Sequence, residues 1–160
     1  MTAREDVDRV RARVEALPDP ELPVITLGEL GVIRSAGTAG DGCVEVGFTP
    51  TFLGCPAIPA ITAAIEQVLR DCGHPDGRVR HELTPAWTTE MITPAGREKL
   101  AAHGIAPPGG PTSLGLGLGT PCPHCGSQDT RPHSSFGPTR CQSMLRCAEC
   151  REVFPCITAT

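Results

Sequence analysis

The sequence predicts an α+β chain: a domain of about 100 residues with a mixed sheet and flanking helices, a linker, and a small module folded around a metal. Three observations carry this. Segments of helical period alternate with segments of period two up to residue 104. Residues 105–120 then turn to Gly, Pro and small side chains without either period. Beyond them stand two Cys-x-x-Cys pairs, Cys122/Cys125 and Cys147/Cys150.

Glu5 to Leu17 reads as a helix, because Val7, Val10, Val14 and Leu17 share one face. Pro18-Asp19-Pro20 ends it. Val24 to Ile33 predicts a turn and a strand, and Gly37 to Gly42 a turn. Val44, Val46 and Phe48 alternate with Glu45 and Gly47, the pattern of a half-buried strand. A loop from Thr49 to Cys55 leads into a second helix, Pro56 to Asp71, whose apolar face is Ile58, Ile61, Ile65, Val68 and Leu69. Val79, His81 and Leu83 alternate in a further strand over 78–83. Thr93-Pro94 opens a third helix as cap and first turn, and Gly104 ends it. The domains read as 1–104, a linker over 105–120, and the cysteine module over 121–160.

Composition narrows the function classes. The 160 residues carry a net charge of -4 and no Tyr, which argues against a broad nucleic-acid surface. A zinc-ribbon nucleic-acid module is the reading this disfavours, although Arg131, Arg140, Arg146 and Arg151 cluster locally. No apolar run approaches the ~20 residues of a membrane span, and the charged start Arg4-Glu5-Asp6 lacks a signal-peptide core. The expected location is the cytoplasm, where an odd set of nine Cys favours metal or redox chemistry over disulfides.

Cys122, Cys125, Cys147 and Cys150 form two knuckles separated by 21 residues. Each knuckle turns two thiolates toward one point, and together they complete a tetrahedral sulfur site for Zn²⁺ of structural type. A module this small needs metal binding to fold. The interval holds a hairpin, with Pro132, Gly137 and Pro138 as turn formers. Cys141 and Cys156 read either as small buried hydrophobes or as additional metal ligands, for an iron–sulfur cluster also uses four Cys. His124 is expected to point outward and His133 to decorate the hairpin.

In the first domain, Cys55 joins a strand to a helix, where free N–H groups and the helix dipole favour a thiolate. Thr49 and Thr51 are placed to donate hydrogen bonds to an anion there, and Gly54 permits close backbone approach. Asp19-Pro20-Glu21-Leu22 is a stiff turn presenting two carboxylates. A carboxylate near a thiolate can bind iron, while the plainer reading is a solvated helix terminator. Cys43 and Cys72 read as structural.

Taken together, Asp19-Pro20-Glu21-Leu22, the Thr-Pro-Thr loop ending in Gly54-Cys55-Pro56, and Pro85-Ala86-Trp87-Thr88 resemble the small α+β family of iron–sulfur assembly factors. The tail Phe136-Gly137-Pro138-Thr139-Arg140-Cys141 and Cys147-Ala148-Glu149-Cys150, with Gly104-Ile105-Ala106-Pro107-Pro108, resembles one branch of it, the D components of phenylacetyl-CoA epoxygenase systems. The resemblance implies an accessory or maturation role in aerobic phenylacetate degradation. Cys55, Asp19 and Glu21 would handle iron or a transient iron–sulfur cluster. Expected partners are the reductase or oxygenase subunits, the iron–sulfur assembly machinery and a second copy in a homodimer. The alternative is an iron–sulfur electron-transfer or structural subunit of the oxygenase complex. No paired Glu-x-x-His helices and no dinucleotide fingerprint are present, so the chain is not expected to be catalytic itself.

Overall fold

The computed structural model describes residues 2–107 and 119–158. The chain packs as two compact units, 1–87 and 88–160. The helix after Thr93, which the sequence pattern places in the first domain, belongs to the second unit.

The first unit begins with helix α1 (Ala3–Glu15), opened by a capping box between Thr2 and Glu5. Its Val10 and Val14 are fully buried. A loop closed by a bridge between Pro18 and Thr26 follows, and then a one-turn helix, α2 (Leu27–Leu30), with a second capping box on Thr26 and Glu29. That turn of helix occupies part of the stretch expected as turn and strand. The strand proper, β1 (Ile33–Thr38), starts where that stretch ends and runs into the expected turn. The signal missed is Thr-x-x-Glu at Thr26–Glu29, a helix start written in sequence.

Strand β2 (Val44–Phe48) pairs antiparallel with β1 and parallel with β3 (Arg78–His81), giving the order β1-β2-β3. The parallel pair is joined by helix α3 (Ile58–Asp71), whose Ile61, Ile65, Val68 and Leu69 are buried. Helix α3 starts at Ile58 rather than at Pro56, with Pro59 in its first turn. Strand β3 stops at His81, although Glu82 still donates its N–H to Phe48 O at 2.8 Å. Gly47 sits under a polar cluster: a Cβ there would come within 2.2 Å of Ser35 Oγ and 2.0 Å of Glu82 Oε1. Its lack of a side chain lets the Ser35 hydroxyl donate to Glu82 Oε1 across the sheet at 2.6 Å. Trp87 closes the unit, buried, with its indole N–H donating to Leu30 O at 2.9 Å.

The second unit holds helix α4 (Pro94–Ala102), capped by Thr93, and a meander of β4 (Thr130–Ser134), β5 (Gln142–Cys147) and β6 (Val153–Ile157). The hairpin expected between the knuckles is β4–β5; β6 follows the second knuckle. The core of the meander is Ala106, Cys122, Leu145, Cys147, Phe154 and Cys156. Ala106 pairs with β6: its N–H donates to Pro155 O at 2.8 Å, and Ile157 N–H donates to Ala106 O at 3.4 Å. The expected linker falls largely on 108–118, outside the described residues. Ala106 and Thr120, on either side of it, are both buried within the second unit. Among the described residues no helix is long and apolar enough to cross a membrane.

Candidate metal centre and thiol–carboxylate site

The four knuckle sulfurs converge. Cys122, Cys125, Cys147 and Cys150 place their Sγ atoms within 4.8 Å of one another. Cys122 and Cys150 are 3.7 Å apart, and Cys125 and Cys147 3.5 Å. A regular tetrahedron with metal–sulfur bonds of about 2.3 Å has edges of about 3.8 Å, so these sulfurs fit one ion. They lie too close together to enclose several irons with bridging sulfides.

Backbone N–H groups aim at the same sulfurs, as His124 N–H donates to Cys122 Sγ at 3.4 Å. The N–H of Cys150 holds the Cys147 thiol down to about 7. At Cys150 the N–H of Glu152 favours the thiolate, yet desolvation and the neighbouring sulfurs push that thiol up to about 12. Four thiols at one point cannot all ionise without a cation among them. A divalent metal fits this donor set.

Cys141 and Cys156 stay outside that cluster. Cys156 lies in the apolar core, where burial pushes its thiol up to about 11. Cys141 is buried beside Thr139, its Sγ 3.1 Å from the hydroxyl. Both are buried, and neither joins the four-thiol group. His124 is exposed, with its ring edge-on to Phe154 at 6.0 Å, and His133 is exposed on β4.

In the first unit the turn and the thiol come together. Glu21 Oε2 lies 3.8 Å from Cys55 Sγ, with the thiol as donor. The two carboxylates expected to act alike are differently placed. Asp19 is buried, and its Oδ1 accepts the N–H groups of Glu21 and Leu22, both at 2.8 Å. Desolvation nevertheless carries the Asp19 carboxyl above its ordinary value, against those two bonds. Asp19 builds the turn, and the turn presents Glu21.

Cys55 stands on the loop leaving the carboxyl end of β2, where crossover units place ligand groups. It is half-buried and lies upstream of the N-cap Ala57, since α3 starts later than expected. Its N–H donates to Phe52 O at 3.1 Å, and its carbonyl accepts from Ile58 N–H at 3.2 Å. The thiol therefore rides on two consecutive turns rather than on the first helical turn. Thr49 has no proton to offer an anion there, because its buried hydroxyl donates to Glu82 O at 2.6 Å. It clips the ends of β2 and β3 together. Thr51 is half-buried on the same loop, Cys43 is half-buried, and Cys72 is buried at the end of α3 with its sulfur 3.4 Å from the Arg13 guanidinium.

An α+β unit with a thiol–carboxylate pair, joined to a four-cysteine ribbon, defines an assembly-type domain fused to a metal-binding β-ribbon. The iron–sulfur cluster assembly protein family matches residues 7–80, and the PaaD zinc beta ribbon domain matches residues 106–157. The chain is 40% identical over 153 residues to a protein of Escherichia coli (strain K12) assigned as the D component of 1,2-phenylacetyl-CoA epoxidase, covering 95% of this chain and 92% of that one. It belongs to that family of epoxidase D components. It is also 28% identical over 87 residues to the Fe-S protein maturation auxiliary factor YitW of Bacillus subtilis (strain 168), covering 54% of this chain and 84% of the relative. A crystal structure of a DUF59 domain from Bacillus anthracis shares the fold at a TM-score of 0.54 and 23% identity, over 61% of this chain and 93% of that one.

Proposed function

We propose that this chain is a non-catalytic maturation component of a phenylacetyl-CoA epoxidase system, and that Cys55 and Glu21 hold iron or an iron–sulfur cluster in transit to the reductase or oxygenase. The observation that carries this is the 3.8 Å approach of Glu21 Oε2 to Cys55 Sγ. A thiolate and a carboxylate at that separation repel when both are ionised, and an incoming cation relieves both charges at once. Ligation replaces the thiol proton, which leaves to solvent. Two protein ligands, one soft and one hard, leave the remaining coordination positions of iron open for exchange.

The zinc ribbon's closed set of four thiolates leaves no such opening, which supports a structural role for its metal. Leu53, 73% exposed on the Cys55 loop, offers an apolar contact to a client protein beside the thiol. The relatives support this reading: one is an epoxidase D component and the other a maturation factor.

The test is the iron and acid-labile sulfide content of the epoxidase reductase and oxygenase, purified from cells carrying wild-type or Cys55→Ala chain. Loss of client metal with an unchanged melting curve of the variant chain is expected. Fully loaded clients from Cys55→Ala cells would falsify the transit role. A reversible redox wave from the isolated wild-type chain would favour an electron-transfer role instead.

A further inference from the structure

The two knuckles of the ribbon leave through the same backbone conformation but carry different residues at that position. Gly126 follows Cys125 with φ of 78°, and Arg151 follows Cys150 with φ of 66°. The turn out of each knuckle thus takes left-handed backbone, which glycine adopts freely and a side chain adopts under strain. Among the described residues Arg151 is the one non-glycine with positive φ. Glycine would serve the fold better at this position, so the strained side chain points to a use for the guanidinium.

Its surroundings indicate the use. Arg131 and Arg146 are direct partners across β4 and β5, and like charges placed opposite each other destabilise a strand pair. The neighbouring pair, Thr130 and Cys147, is buried, so both arginines leave the other face of the hairpin. Arg131, His133, Arg146 and Arg151 line one open cavity of about 470 Å³ beside Cys147 of the four-thiol site, and no carboxylate lines it. Asp129 reaches Arg131 at 3.3 Å, with both side chains largely exposed. No carboxylate of the described residues lies within ion-pair distance of Arg146 or Arg151.

We infer that this cavity is an oxyanion site that takes the phosphate group of a small ligand. Guanidinium groups present paired N–H donors that match phosphate and carboxylate oxygens. Three of them line this cavity, and Arg131 also gives its Nε–H to Asp129 at 3.3 Å. A single carboxylate matches one guanidinium, whereas a phosphate dianion has oxygens enough to engage more than one. An adjoining cavity of about 220 Å³ shares Pro132 and His133 with the first and is also lined by Ser135 and Ser143, giving room for the rest of the ligand. Arginines that served only to balance the charge of the metal–thiolate centre would govern metal affinity and not anion binding.

The experiment is a titration of the full-length, zinc-loaded chain with inorganic phosphate, followed by NMR at the arginine Nε–H groups. Saturable shifts at Arg131, Arg146 and Arg151 are expected. Arg151→Gly relieves the backbone, so it should keep its zinc and melt no lower than wild type. It should nonetheless bind phosphate at least about tenfold more weakly, the loss of one charge-assisted contact. Arg146→Ala should do the same, and glutarate, with two carboxylates, should bind less well than phosphate. The inference is overturned by shifts that do not saturate, by wild-type affinity in Arg151→Gly, by glutarate binding as tightly as phosphate, or by variants that lose zinc while still binding phosphate.

Discussion

The chain holds two kinds of sulfur site, and in the proposed function the difference between them is that between keeping a metal and passing one on. In the ribbon, four thiols from two knuckles lie within 4.8 Å of one another, and backbone N–H groups already point at the sulfurs. The whole coordination sphere is supplied by the fold. At Cys55 a single half-buried thiol meets one carboxylate at 3.8 Å on a loop between a strand and a helix. Under the proposed function that pair would supply part of a coordination sphere and leave the rest to the cargo or to a client.

The largest effect that would break this contrast lies in the ribbon. Structural zinc contributes on the order of 10 kcal/mol to modules of this type. Stripping it with a chelator, or making Cys147→Ser, should abolish ordered structure in 119–158 while the NMR signals of the first unit stay in place. A ribbon that keeps its dispersed spectrum without metal would show that its core is sufficient alone.

Next in size is Asp19→Ala, which leaves two N–H groups unpaired in a buried turn. It should cost about 1–2 kcal/mol in urea unfolding of the first unit and should lower iron uptake at Cys55 by displacing Glu21. Glu21→Gln should change stability by less than about 0.5 kcal/mol and still reduce iron retention. Equal stability losses in both variants would erase the division of labour between the two carboxylates.

A smaller effect concerns pH. The Asp19 carboxyl is raised in the folded state by desolvation, so its neutral form is the one folding favours. Its contribution is present at low pH and lost as pH rises from the ordinary carboxylate value near 4 through the raised folded value. Compared with Asp19→Asn, which keeps both hydrogen bonds, wild type should gain relative stability as pH falls through that window. A difference that stays flat, or moves the other way, would mean that the two backbone donors outweigh burial.

The same contrast decides what can be read from sequence. The ribbon ligands are legible because their chemistry is local: a knuckle is four residues long, and two knuckles at a workable interval define a site. The helices at Val10 and Ile61 and the strand at Val44 are legible from period alone. The Glu21–Cys55 pair is separated by 34 residues, and its approach depends on the Pro18–Thr26 bridge and on where α3 begins. The role of Asp19 follows a local rule, since a short Asp side chain can accept N–H groups two and three residues on, but nothing local shows that Glu21 meets Cys55. Thr49 likewise looks free in sequence, and only the arrival of Glu82 from β3 commits its hydroxyl. The Arg151 signal is present in the sequence, since aligning the two knuckles sets it beside Gly126, but its meaning depends on a backbone angle.

Ala106 pairs with β6 and fills the ribbon core from the far side of the Gly- and Pro-rich stretch. A fragment expressed from residue 121 would therefore begin too late. It would lack the strand partner that covers the β6 edge and the methyl group that packs among Cys122, Leu145 and Phe154. The edge would be left to pair with other chains. Transplanting the ribbon onto another protein would require a junction ahead of Ile105, with the intervening residues carried along as part of the graft.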